Sequence, residues 1–254
     1  MKTKLSISPK PKNDFELPTE KRITAKGARD QIMLFYGPPG VGKTTFVNEL
    51  ADRVFFFSTD RGTRDMKALA RECSNWEDML ATLKKMESPN APKYDIVAID
   101  HVDDWANFAE DYVCKQMGID SLGDAGYAKG WRAFKKELFL FLGRLRALKM
   151  GIVFIAHETI KTVKTRAIET DRTMPDMGKS AWKVIVPLVS IVGFCGFQRI
   201  KQKNGDVVEK RVLITDPTEA IYAKDRTRRT KKSLEYLNGA AFMQSFQTPK
   251  KEAE

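Results

Sequence analysis

Residues 37–45 read GPPGVGKTT. Gly37, Gly40, Gly42, Lys43 and Thr44 match the G-x-x-x-x-G-K-[ST] spacing. In that pattern the glycines let successive backbone N–H groups wrap a phosphate chain, the lysine reaches the β and γ phosphates, and the hydroxyl meets Mg²⁺. Pro38, Pro39 and Val41 complete the loop and Thr45 follows, so Gly37 to Thr45 is the candidate phosphate cradle. A triphosphate site also needs a metal-orienting carboxylate at the end of a neighbouring strand. The segment YDIVAID supplies Asp100 after four apolar residues, at the carboxyl edge where ligands of open α/β sheets collect. Thr44 and Asp100 are the expected metal pair. A third stretch, YAKDRTRRTKK from Tyr222 to Lys232, packs six basic residues around one acid. It could be solvated, face nucleic-acid phosphates, or aim cations at a nucleotide.

These residues work only if strands and helices position them. Short apolar runs, QIMLFY, VFFFS, YDIVAID, GIVFIA, SIVGFCGF and RVLIT, alternate with helical patterns, which predicts an α/β fold with a mostly parallel central sheet and helices on both faces. Residues 128–148 place apolar side chains at helical spacing around a basic face, the pattern of a helix covering the sheet. Asn204-Gly205 between SIVGFCGFQRI and VVEKRVLIT marks a hairpin, so the sheet is expected to end in antiparallel strands. The first 20 residues and residues 247–254 read as flexible ends, leaving a single domain over residues 21–246.

The 254 residues carry a net charge of +11, which makes polyanions such as nucleic acid reasonable partners. Three cysteines, Cys73, Cys114 and Cys195, form no CxxC pair, so neither a disulfide framework nor a zinc site is indicated and a reducing interior is expected. The N-terminus has no apolar signal region and no run reaches membrane-spanning length. The expectation is a cytoplasmic protein without membrane contact, in a bacterial host if the gene is phage-borne.

His101 follows Asp100, so the Asp-Glu pair of many AAA+ machines is missing. No NKxD guanine-reading motif occurs, and Asp120 to Gly123 is a DxxG that closes no clear strand, so a GTPase is not expected. ATP with Mg²⁺ is. Three further pieces resemble the RecA-like ATPases. VFFFSTDRGT is similar to the strand after the P-loop helix, GIVFIAHE to the strand between the two Walker strands, and YAKDR to the K-x-R element that such subunits insert into a neighbour's nucleotide site. More closely, the order GPPGVGKT, TDRGT, AID, AHE, PDMGKSAW and AKDR resembles the phage RecA-like single-strand annealing ATPases of the Sak group, over residues 22–230. The resemblance implies that Asp60 orients or deprotonates the attacking water, that His157 senses the γ-phosphate, and that Lys224 and Arg226 act in a neighbouring subunit's site. The family carries Glu where this chain has Asp60. From the residues alone Asp60 could instead cap a following helix, His157 could be an ordinary strand-end histidine, and His101 reads as structural.

After His157 comes a polar segment, residues 158–179, with no helical pattern, a length unusual for an unstructured loop in a compact domain. The resemblance places single-stranded DNA on it, with Lys161, Lys164, Arg166 and Arg172 as phosphate contacts; a solvated loop is the alternative. The implied protein is a DNA-stimulated ATPase of recombination, annealing or repair, a homo-oligomeric ring or filament with a single-strand-binding protein as a candidate partner. A small-molecule phosphotransferase and a nucleotide-switched DNA-binding module with little turnover are the competing readings.

Overall fold

The computed structural model describes residues 27–164, 169–201, 206–235 and 237–246. In chain order the elements are β1 (Ile32–Tyr36), α1 (Lys43–Asn48), β2 (Val54–Ser58), β3 (Leu69–Glu72), α2 (Trp76–Met86), β4 (Ile96–Asp100), α3 (Val102–Met117) and α4 (Lys129–Ala147). Then follow β5 (Gly151–Ala156), β6 (Glu158–Lys164), β7 (Glu169–Pro175), α5 (Lys179–Ile185), β8 (Ile191–Lys201), β9 (Val207–Ile214), β10 (Lys224–Asp225), β11 (Ser233–Leu234) and α6 (Gly239–Ser245). The main sheet runs β11-β9-β8-β1-β5-β4-β2-β3, with β10 against β8. From β8 to β3 every neighbouring pair is parallel, and β9, β10 and β11 join antiparallel. The chain thus has the α/β fold the sequence predicts, a mostly parallel central sheet that ends in antiparallel strands. GIVFIA lies, as expected, between the strand that leads into the phosphate loop and the strand that ends in Asp100.

Up to their carboxyl ends, where Ser58 and Asp100 stand, the central strands are apolar because both of their faces are covered. Alternation assigns each residue to a side. Leu34, Tyr36, Phe55, Phe57, Val97, Ile99 and Phe154 face a core with α2, α3, α4 and α5, whereas Met33, Phe35, Phe56, Ala98 and Ile155 face α1 and α6. The predicted helix over 128–148 is α4, and its Phe134, Leu138, Phe141, Leu142 and Leu145 are buried against the first of these cores. On the other face Phe46 of α1 packs edge-on to Phe35 at 4.9 Å between ring centroids, and Phe242 of α6 closes the cluster. Such edge-to-face pairs hold α1 at a fixed height on the sheet. That height sets where its first residue, Lys43, meets ligand.

Two expectations need correction. Residues 158–164 and 169–175 are not irregular but form the paired antiparallel strands β6 and β7, from Glu158 opposite Pro175 to Lys164 opposite Glu169. Thr159, Ile160, Thr162, Val163, Thr170 and Thr173 supply β-branched residues, and Thr162 donates a 2.8 Å hydrogen bond to Asp171 directly opposite. The second concerns the basic run. Asp225 accepts from the backbone N–H groups of Thr227, Arg228, Arg229 and Thr230 and from both threonine hydroxyls, folding the run into a tight turn. Arg229 is therefore not solvated: it is 8% exposed, with its guanidinium 4.1 Å from the centroid of the Phe246 ring. The Asn204-Gly205 turn lies outside the described residues, although the strands beside it do pair, Lys201 opposite Val207. Cys73, Cys114 and Cys195 are free and buried, and among the described residues no helix is long and apolar enough to cross a membrane.

Candidate nucleotide-binding site

Tyr36, Ser58, Asp100 and Ala156 end β1, β2, β4 and β5 at one edge of the sheet, Tyr36 opposite Ala156, Ser58 opposite Asp100 and Asp100 opposite Ile155. The sequence-predicted residues emerge there: the phosphate loop after Tyr36, Asp60 two residues after Ser58, Asp100 itself, and His157 after Ala156. Gly37 is required at the loop's root, because a Cβ there would lie 1.9 Å from the Cys195 carbonyl oxygen of β8. Gly42, at φ 97°, turns the loop into α1 in the left-handed region that glycine occupies without strain. Cys195 beneath it is fully buried, its thiol pushed up to about 12 by burial.

Lys43 is 4% exposed and donates to the carbonyls of Gly37 and Pro38 at 2.9 and 3.0 Å. Burial holds its ammonium below the usual lysine range, against the pull of neighbouring acids that include Asp100, Glu158 and Asp60. Neutral carbonyls satisfy its protons without cancelling its charge, so a phosphate can take their place. Alternation on β4 sends Ile96, Ala98 and then Asp100 to the α1 side of the sheet. There the Thr44 hydroxyl donates to Asp100 Oδ2 at 2.8 Å. Asp100 is fully buried, which raises its pKa; the nearby His101 and the Thr44 hydrogen bond oppose the shift. Among the described residues its Oδ1 has no hydrogen-bond donor, and His101 Nε2 lies 3.0 Å from it. A hydroxyl in contact with a buried carboxylate that retains an open lone pair fits a hard, oxygen-seeking cation such as Mg²⁺.

Asp60 lies beside this pair. Its Oδ1 accepts from Gly62 N–H at 2.9 Å, and its Oδ2 is 3.3 Å from His101 Nδ1. No helix follows it; residues 61–66 form turns, so the capping alternative does not hold. His157 packs against His101 with ring centroids 4.2 Å apart and the planes tilted by 45°, and burial, then the adjacent His101 and Lys43, hold its pKa down. Its Nδ1 is buried without a partner.

The hairpin β6–β7 leaves this edge directly after His157. Lys161 is exposed on it. Arg172 instead packs back, its guanidinium 5.3 Å from the Tyr222 ring centroid and donating to the Ile221 carbonyl. Arg166 lies outside the described residues, and Lys164 is described only as the last residue of β6. The buried hydroxyl of Tyr36, the residue before the phosphate loop, sits 2.7 Å from the Tyr222 carbonyl and 3.0 Å from that of Thr173. Lys224 and Arg226 are not brought to the phosphate loop. Lys224 donates to the Val186 carbonyl and Arg226 to that of Pro187, just past α5, both at 2.8 Å. That helix covers the opposite face from α1, and Arg226 N–H bonds Ser190 next to the start of β1. The pair thus faces away from its own chain's loop.

A family model described as an AAA domain (AAA_24) matches residues 29–227. The chain belongs to this AAA domain family. The SPbeta prophage-derived uncharacterized protein YorG of Bacillus subtilis (strain 168) is 24% identical over 141 residues, 53% of this chain; the chain spans 43% of that relative's length. Among solved structures, a KaiC-like protein, PH0186, from Pyrococcus horikoshii OT3 is 14% identical over 73% of this chain and 78% of its own, with a TM-score of 0.41. The RadB recombinase is 11% identical over 74% and 81%, with a TM-score of 0.39.

Within this AAA domain the sequence left three neighbours of the site unassigned. His101 spans Asp60 and Asp100. Thr59 accepts from His101 N–H at 2.9 Å and lies 2.7 Å from Asp104 Oδ2, fixing the end of β2 against the start of α3. Glu158 sits within the electrostatic reach of Lys43, its carboxyl pushed up by burial and drawn back by that cation. A polar residue beside a motif, here His101 or Glu158 beside Asp100 or His157, is the signal that could have found them.

Proposed function

We propose that this AAA domain binds and hydrolyses ATP, binds single-stranded DNA, and acts in recombination, annealing or repair, with nucleotide sites shared between subunits as in the Sak-group annealing ATPases. The observation that carries the reading is the contact of Thr44 with the buried Asp100, made where Lys43, Asp60 and His157 converge at one sheet edge. When bound, Mg²⁺ would neutralise charge on the β and γ phosphates from Thr44 and Asp100. Lys43 would exchange its two carbonyls for phosphate oxygens, Asp60, held by Gly62 N–H, would orient the attacking water, and His157 would register the γ-phosphate at the root of the hairpin. Lys224 and Arg226, turned from their own loop, would serve an adjacent subunit. The prophage origin of the YorG relative agrees with a phage recombination role.

The DNA contact is tested on the hairpin. Neutralising Lys161, Lys164 and Arg166 together is expected to weaken single-stranded DNA binding and flatten its log-log salt dependence by about 2, since each phosphate contact contributes roughly 0.7 on single strands. ATP binding should be unchanged. Affinity titrated over a salt series checks this; an unaltered slope would move the contact to other basic residues.

A further inference from the structure

The strands β8 and β9 continue as a two-stranded ribbon past the phosphate loop. Cys195 and Leu213, which pair across it, both pack in the core on the α1 side. The next pair on that face is Phe197 opposite Arg211. Phe197 is 47% exposed, although its neighbours toward the sheet are buried. Arg211 reaches back over the phosphate loop: a Cβ on Gly42 would lie 3.4 Å from one of its guanidinium nitrogens. Among the described residues the Arg211 side chain makes no hydrogen bond or ion pair. A guanidinium without a counter-charge at Gly42, inside the loop that would wrap a phosphate chain, is placed to pair with a phosphate oxygen there.

We propose that this Phe197–Arg211 pair completes the nucleotide site from the ribbon side, Arg211 holding the phosphate chain at Gly42 and the Phe197 ring providing a stacking face for the nucleobase. The proposal rests on the nucleotide-site reading above and adds a base subsite to it. Cross-strand side chains on one face stand about 5 Å apart, close enough for one nucleotide to touch both. A ring offers stacking without a hydrogen-bonding pattern, so purine triphosphates should bind with little discrimination from this face.

Calorimetric titration of the full chain with ATP and with inorganic tripolyphosphate separates the two roles. Arg211→Ala is expected to weaken both ligands about tenfold, with Arg211→Lys recovering part of the loss. Phe197→Ala should weaken ATP about tenfold and leave tripolyphosphate unchanged, while Phe197→Trp keeps ATP affinity. Both side chains are exposed, and a thermal melt confirms that each variant is folded. ATP affinity unaltered in Arg211→Ala, or equal losses of both ligands in Phe197→Ala, overturns the proposal while leaving the phosphate loop's role intact. Failure of the unsubstituted chain to bind either ligand would instead remove the nucleotide-site reading itself.

Discussion

Lys43→Ala is expected to lower ATP turnover at least about a hundredfold. Its ammonium is buried and held by the carbonyls of Gly37 and Pro38, so it has already lost most of its water before phosphate arrives. Removing one preorganised donor from charge developing in a transition state costs roughly 10²–10³ in rate. Asp100→Asn should produce a loss of similar size by a different route. It keeps an oxygen for Thr44 but removes the negative charge that would hold the metal, so turnover should fall while nucleotide binding measured without Mg²⁺ persists. Asp60→Asn should bind ATP as before and hydrolyse it more slowly, because the role proposed for that carboxylate concerns the attacking water and not the phosphates. Phosphate release and calorimetric binding, measured together, check all three. Unchanged turnover in Lys43→Ala or Asp100→Asn would remove the assignment of the site.

Arg226→Ala subunits mixed with Lys43→Ala subunits should recover hydrolysis that neither possesses alone. Arg226 is exposed and donates to the Pro187 carbonyl beyond α5, on the face opposite α1, which removes it from its own chain's phosphates. Any action on a nucleotide must then be on a neighbour's. Cations supplied in this way are worth about 10³–10⁵ in rate, so each homogeneous variant should be nearly inactive. In mixed assemblies some interfaces pair an intact phosphate loop with an intact Arg226, and hydrolysis should return there. Co-assembly shown by pull-down without any recovery would count against a shared site.

Much of this was legible in the sequence where the signal is local. The phosphate loop carries its own glycines, and β1, β2, β4 and β5 are near-continuous apolar runs because a covered parallel sheet demands them at both faces. Asp100 could be read from its place at the end of such a run. The hairpin β6–β7 could not: only partly covered, its Thr-Ile-Lys-Thr-Val run has no apolar period to reveal a strand. Nor could β3, β10 and β11, which are short and polar and owe their pairing to neighbours already in place. His101 read as structural because a single histidine says nothing until two carboxylates are folded around it. Arg211 lies 168 positions after Lys43 in the numbering, and the register of β8 on β9 alone brings it to Gly42. The basic run divided for a reason outside its own charges: Asp225 gathers its backbone and Phe246 draws Arg229 inward.

The central claim is a hydrolytic ATP site coupled to single-stranded DNA. Steady-state phosphate release from ATP and Mg²⁺, with no acceptor molecule added, tests it in the presence and absence of single-stranded DNA. The expected result is release that requires Lys43 and rises when DNA is added. No release under either condition, or release that DNA leaves unchanged, would contradict it.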